Sequence, residues 1–289
     1  MIIDEKTREV LLPFYNFFGA INISAIAPGD SSRKNESIPQ ILTSNKMTNS
    51  KNRVSLRRAA LIAGLGLLIM IIAAPYAELF VYPKLVVPDK AEETVKNIIA
   101  NKTIFISAIF GYLATFICDV VVAWALYVLL KPVDENLSLL TAWFRLVYTV
   151  IALVALLNLV NVLQLLNAAD YLKVLEPRLL HSQVMISLHA FRHDWYFGLL
   201  FFGIHLGLLG YLVFRSEYIP KILGVLLIIA GLGYLITTLK PYLFPNLNLD
   251  FARFTFYGEL IFTLWLLIKG SRIKESEKEI IWFESVSYE

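Results

Sequence analysis

The sequence predicts an all-α, polytopic integral membrane protein with six transmembrane helices and both termini in the cytoplasm. Three observations lead there. Of 289 residues, 57% are hydrophobic and only 17% charged, with a mean hydropathy of +0.64, a balance too apolar for an ordinary soluble domain. Beyond residue 52, apolar runs recur at about the 20-residue length that a helix needs to cross the hydrocarbon core of a bilayer. Lys and Arg gather at alternate ends of those runs, as at Arg57, Arg58, Lys131, Arg215 and Lys269, and basic residues accumulate on the cytoplasmic side. That bias also explains the net charge of +3, so the lipid bilayer is the expected partner and nucleic acid is not.

Residues 1–52 form a polar tail, rich in Ser and Asn and interrupted by Pro13, Pro28 and Pro39, with the composition of a disordered segment. Its opening, DEKTRE, is unlike the basic start of a secretory signal. Met47 begins MTNSKNRVSLRRAALIAG, a normal start for a membrane protein, which makes Met47 as reasonable a start site as Met1. The six-helix domain is expected over 53–270 and a charged cytoplasmic tail over 271–289.

The first span is expected from Ala59 to Phe80, broken late by Pro75. A loop follows that holds AEETVKNIIAN, whose apolar and charged positions alternate with helical period, as in a short helix on the membrane surface. The second span, Thr103 to Leu130, stops at Lys131-Pro132, because proline lacks an amide proton and restricts its predecessor. The third runs from Leu137 to Leu166. A loop from Asn167 to Arg192 leads to the fourth, His193 to Phe214, then the fifth, Ile219 to Leu239, and the sixth, Phe251 to Ile268. AGLGLLI at Ala63–Ile69 and AGLGYLI at Ala230–Ile236 differ at one position, a weak internal repeat that the small alphabet of apolar helices also explains.

Ionisable side chains inside spans carry the functional information, since each costs about 2.5–3.5 kcal/mol to insert and turns to the bundle interior. Asp119 lies 12 residues from Lys131, and His205 and Glu259 each lie 10 from Arg215 and Lys269. At about 1.5 Å per residue these depths are roughly 15–18 Å, near the midplane. Arg145, about 12 Å deep on the same count, is placed to reach Asp119. The expected binding layer is therefore Asp119, Arg145, His205 and Glu259. It suits a small polar solute or protons, with histidine as a titrating group. Two other classes remain open: an intramembrane enzyme on a lipid-like substrate, using Glu259 or Asp119 with His205, and a noncatalytic sensor or accessory protein in which Asp119 and Arg145 simply neutralise one another. A water path favours transport, a lateral pocket favours an enzyme, and a dry bundle of paired charges favours the accessory role.

No cofactor is implied. His189 and His193, spaced i, i+4, are weak metal candidates that lack a catalytic glutamate between them. Cys118, the single cysteine, lies inside a span and is expected to pack as a small hydrophobe. Gly203, Gly207 and Gly210 make a small-residue stripe on the fourth span, with His205 projecting from the opposite side.

Three blocks, FICDVVVAWALYVLLKPVDENLSLLTAWFRL (Phe116 to Leu146), FGLLFFGIHLGLLGYLVFRSEYIPKILGVLLIIAGLGYLI (Phe197 to Ile236) and GELIFTLWLLIKG (Gly258 to Gly270), carry a family resemblance. From about Arg57 to Gly270 the chain resembles the prokaryotic membrane proteins catalogued as domain of unknown function 4386. The resemblance implies a multi-pass protein of the prokaryotic cytoplasmic membrane and marks no residue as catalytic.

Overall fold

A computed structural model of the chain describes residues 54–167, 176–243 and 256–273. The polar tail, the alternative start at Met47, the opening of the expected sixth span and the C-terminal tail beyond Ile273 lie outside the described residues. Every regular element among the described residues is helical. Helix α1 spans Leu56–Pro75, α2 Ala91–Ala100, α3 Lys102–Leu130, α4 Glu135–Leu166, α5 Pro177–Arg215, α6 Lys221–Leu243 and α7 Tyr257–Lys269. Five stretches are long and apolar enough to cross a membrane: α1 with its extension to Leu85, α3, α4, α5 and α6.

The helices start and stop where their sequences supply partners for free backbone groups. Ser55 accepts from the Arg58 N–H at the start of α1, and Asp134 accepts from the Leu137 N–H at 2.9 Å at the start of α4. Pro177 occupies the first turn of α5, where a missing N–H costs nothing. Asp89 adopts φ 60°, a left-handed conformation that aspartate tolerates, in the turn leading to α2.

Two expectations need correction. Pro75 does not break the first span. The α-helical pattern ends at Pro75, where the Tyr76 N–H is shared between the Ala73 and Ile72 carbonyls, and the chain continues helically through a π turn, Tyr76–Val81, and a last α turn, Tyr82–Leu85. Nor is the segment before His193 all loop, since α5 begins at Pro177 and runs for 39 residues. Val184, Leu188 and Phe191, spaced i, i+4, i+7, are buried there, and α2 packs on α5. The apolar face of α2 (Val95 and Ile98) is likewise buried against the protein.

Consecutive long helices pack side by side, α1 on α3, α3 on α4, α4 on α5 and α5 on α6, and α7 closes the ring by contacting both α6 and α1. The Arg57 Nε–H donates to the Ile273 carbonyl at 2.8 Å, which ties the start of α1 to the chain just beyond α7. Large apolar side chains such as Ile72, Phe110, Trp143, Val150 and Ile222 are exposed around the outside, as a lipid-facing surface requires.

At the end of the ring that carries the π turn, Glu78 joins three elements. It pairs with Arg192 at 3.1 Å and accepts from the Tyr112 hydroxyl at 2.7 Å, while Arg192 lies over the Tyr82 ring at 4.8 Å. Tyr112→Phe is expected to cost about 1–3 kcal/mol, the penalty for a charge-assisted bond whose acceptor loses its donor. Thermal melting in detergent measures it, and an unchanged midpoint would show that the bond adds nothing.

Candidate functional site

One face of α4 builds the polar layer. Ser138, Thr141, Arg145 and Thr149 recur every three or four residues and are all at most 3% exposed. Thr141 and Thr149 return their hydroxyl protons to the carbonyls of Leu137 and Arg145, which satisfies them locally. Arg145 is left to reach inward.

Its guanidinium sits among side chains of three other helices. Nη2 lies 2.7 Å from Asp119 Oδ1 on α3 and 3.6 Å from Met70 Sδ on α1. Nη1 lies 3.1 Å from His205 Nε2 on α5, and the ring of Phe202, one turn earlier, faces the cation at 5.4 Å. By distance the contact with Asp119 is an ion pair, yet no N–H is aimed along it, so neither Asp119 oxygen has an aligned donor. We read it as an ion pair, since 2.7 Å between opposite charges at 1% and 0% side-chain exposure is decisive whatever the angle.

The histidine's role follows from its two partners. Nδ1 faces the Thr141 carbonyl at 2.8 Å and must donate to it, while Nε2 faces a guanidinium N–H and must accept. His205 therefore holds its proton on Nδ1 as a neutral ring, locked by α4 on both sides. In this geometry the ring joins α5 to two groups of α4.

Glu259 stands apart from this knot. It lies on α7 with the Tyr234 hydroxyl of α6 as its hydrogen-bonding neighbour, and its buried Oε1 has no hydrogen-bond partner among the described residues. Between it and Arg145, whose Nε also lacks a partner, lies a cavity of about 10 Å³ lined by Leu67, Leu126, Leu206, Leu209, Leu227 and Phe262. All six helices of the ring contribute to it, so it marks the bundle axis, and its volume matches about one water molecule.

The four residues expected in one layer thus meet around Arg145, three in direct contact and Glu259 across the axial space. His189 and His193 are both exposed on α5, and among the described residues no three His, Cys, Asp or Glu side chains gather as metal ligands. Sequence reading missed Tyr234 and Met70. A tyrosine in the middle of an apolar span was an available signal for the first, because a buried hydroxyl needs a partner. The sulfur carried no comparable signal.

Comparison with known proteins locates these blocks. The family model described as Domain of unknown function (DUF4386) matches residues 62–270, which include all four polar residues. A curated relative from Archaeoglobus fulgidus, described as an uncharacterized protein, is 37% identical over 170 residues, covering 59% of this chain and 88% of its own length. No solved structure matches.

Proposed function

From the premise that this chain belongs to the family described as Domain of unknown function (DUF4386), we propose that it is a six-span protein of the cytoplasmic membrane, termini inside, that binds and releases a proton at Glu259. The observation that carries this reading is the unpartnered, buried Glu259 Oε1 at an axial space that accommodates about one water. Asp119 and Arg145 neutralise one another's charge, Arg145 hydrogen-bonds His205, and the three act as the fixed frame. Unlike Asp119, Glu259 has no ion-pair partner among the described residues, and a carboxyl at membrane depth is able to carry a proton. The sixth crossing is the one that α7 belongs to, and a shared end for α1 and α7 accords with an even number of crossings. A solute larger than water, or a lipid substrate for an enzyme, needs more room than the described cavities beside the polar layer offer.

Infrared difference spectra of the reconstituted protein between two pH values test this. A carboxyl band that changes with pH in the native chain and disappears in Glu259→Gln is the expected result. A band that survives the substitution, or no pH-dependent band at all, would overturn the assignment.

A further inference from the structure

A second space lies beside the axial cavity. It is a cleft between α3, α4 and α5, lined by Ala123, Leu126, Tyr127, Ser138, Thr141 and His205, with Leu209 on its inner wall. Its polar groups form a ladder toward the Lys131 end of the bundle. His205 donates to the Thr141 carbonyl at 2.8 Å, the Thr141 hydroxyl donates to the Leu137 carbonyl at 2.7 Å, and one turn nearer that end the Ser138 hydroxyl donates to the Tyr127 carbonyl at 3.0 Å. The Tyr127 hydroxyl stands 3.5 Å from Glu135, an exposed residue paired with Lys131 at 2.8 Å. Leu126 and Leu209 line both the cleft and the axial cavity and stand between them. In this state the cleft is too narrow for a water molecule.

Resting on the reading of Glu259 above, we infer that this cleft is the route by which water and protons reach the axial site from the Lys131 end, with Leu126 and Leu209 as its closed gate. The placement gives a use to Ser138 and Thr141, two of the three hydroxyl-bearing residues that α4 buries around Arg145: they line the cleft, and their hydroxyl oxygens keep lone pairs that a file of water can use when the helices part. Two leucines without polar atoms make the barrier, and a constriction of that kind closes by excluding water.

Thiol labelling of the full chain in sealed vesicles tests the route. Cys118→Ala removes the native thiol, Leu227→Cys places one in the axial cavity, and Lys131→Cys on a sister protein identifies which face the reagent meets. With both leucines present, Leu227→Cys is expected to resist a membrane-impermeant methanethiosulfonate. Added Leu209→Ala should expose it to reagent applied on the Lys131 side only. Labelling from the opposite side, equal labelling from both, or none in protein that still elutes as a folded species would overturn the route. If Leu209→Ala fails to fold, Leu209→Val and Leu126→Val ask the same question with a smaller loss of volume. The reaction does not involve Glu259, so one-sided labelling without a Glu259 infrared band would support the route while removing the proton reading.

Discussion

Arg145→Met is expected to destabilise the folded protein by about 3–5 kcal/mol, because it leaves a buried carboxylate without its counterion. Asp119 is completely buried and its guanidinium partner is 1% exposed, so no solvent is available to replace the lost charge. The same substitution takes the donor from His205 Nε2 and the cation from the Phe202 face. Four helices, α1, α3, α4 and α5, meet at this one side chain, and a cavity at their junction adds to the penalty. Arg145→Met combined with Asp119→Leu should recover most of the loss, since an apolar pair of similar volume is often as stable as a buried ion pair. Thermal unfolding in detergent of the two single variants and the double measures the coupling. A single Arg145→Met as mild as the double would mean that the pair contributes no specific stability.

Gly210→Ala is the second large effect, expected at about 1–3 kcal/mol from overpacking alone. A Cβ at Gly210 would stand 2.6 Å from the Gly224 carbonyl oxygen and 2.8 Å from the Ile228 amide nitrogen. Both are backbone atoms, which no rotamer change can move aside. Its counterpart is equally tight, with a Cβ at Gly224 falling 2.5 Å from the Gly210 oxygen, and Gly203 meets Gly231 one heptad away in the antiparallel register. Gly207 sits in the same stripe by sequence, yet a Cβ there meets nothing within 4 Å. Gly207→Ala should therefore be neutral, or stabilising by up to about 1 kcal/mol through helix propensity. Equal melting shifts for the two alanine variants would show that α5 and α6 do not approach as described.

The membrane character, the helical class and the places where most spans begin and end were legible, because they follow from local composition. Pro132, with Asp134 as the cap, separates α3 from α4 by rules that act within a few residues. The depth count also brought Asp119, Arg145 and His205 to one level, since helical rise is constant. Where local rules compete with packing, the reading failed. Pro75 reads as a break, and the chain stays helical past it through a π turn and a last α turn. The segment from Pro177 to Arg192 reads as a loop, whereas Val184, Leu188 and Phe191 are buried along one helical face and α2 packs on the same helix.

By itself, then, the sequence determined that this is a chain of apolar helices with four ionisable groups at membrane depth and glycines on one side of α5. Periodicity and transfer energy depend only on the residues and the solvent. Which of those groups are spent on one another is set by packing: Arg145 pairs with Asp119 and bonds His205, while Glu259 has no ion-pair partner among the described residues and lines the axial cavity. The reason is geometric. A helix wheel sets the direction of a side chain but not the rotation of its neighbours, and partners within 3 Å are chosen by how six helices turn about their own axes when they close into a ring.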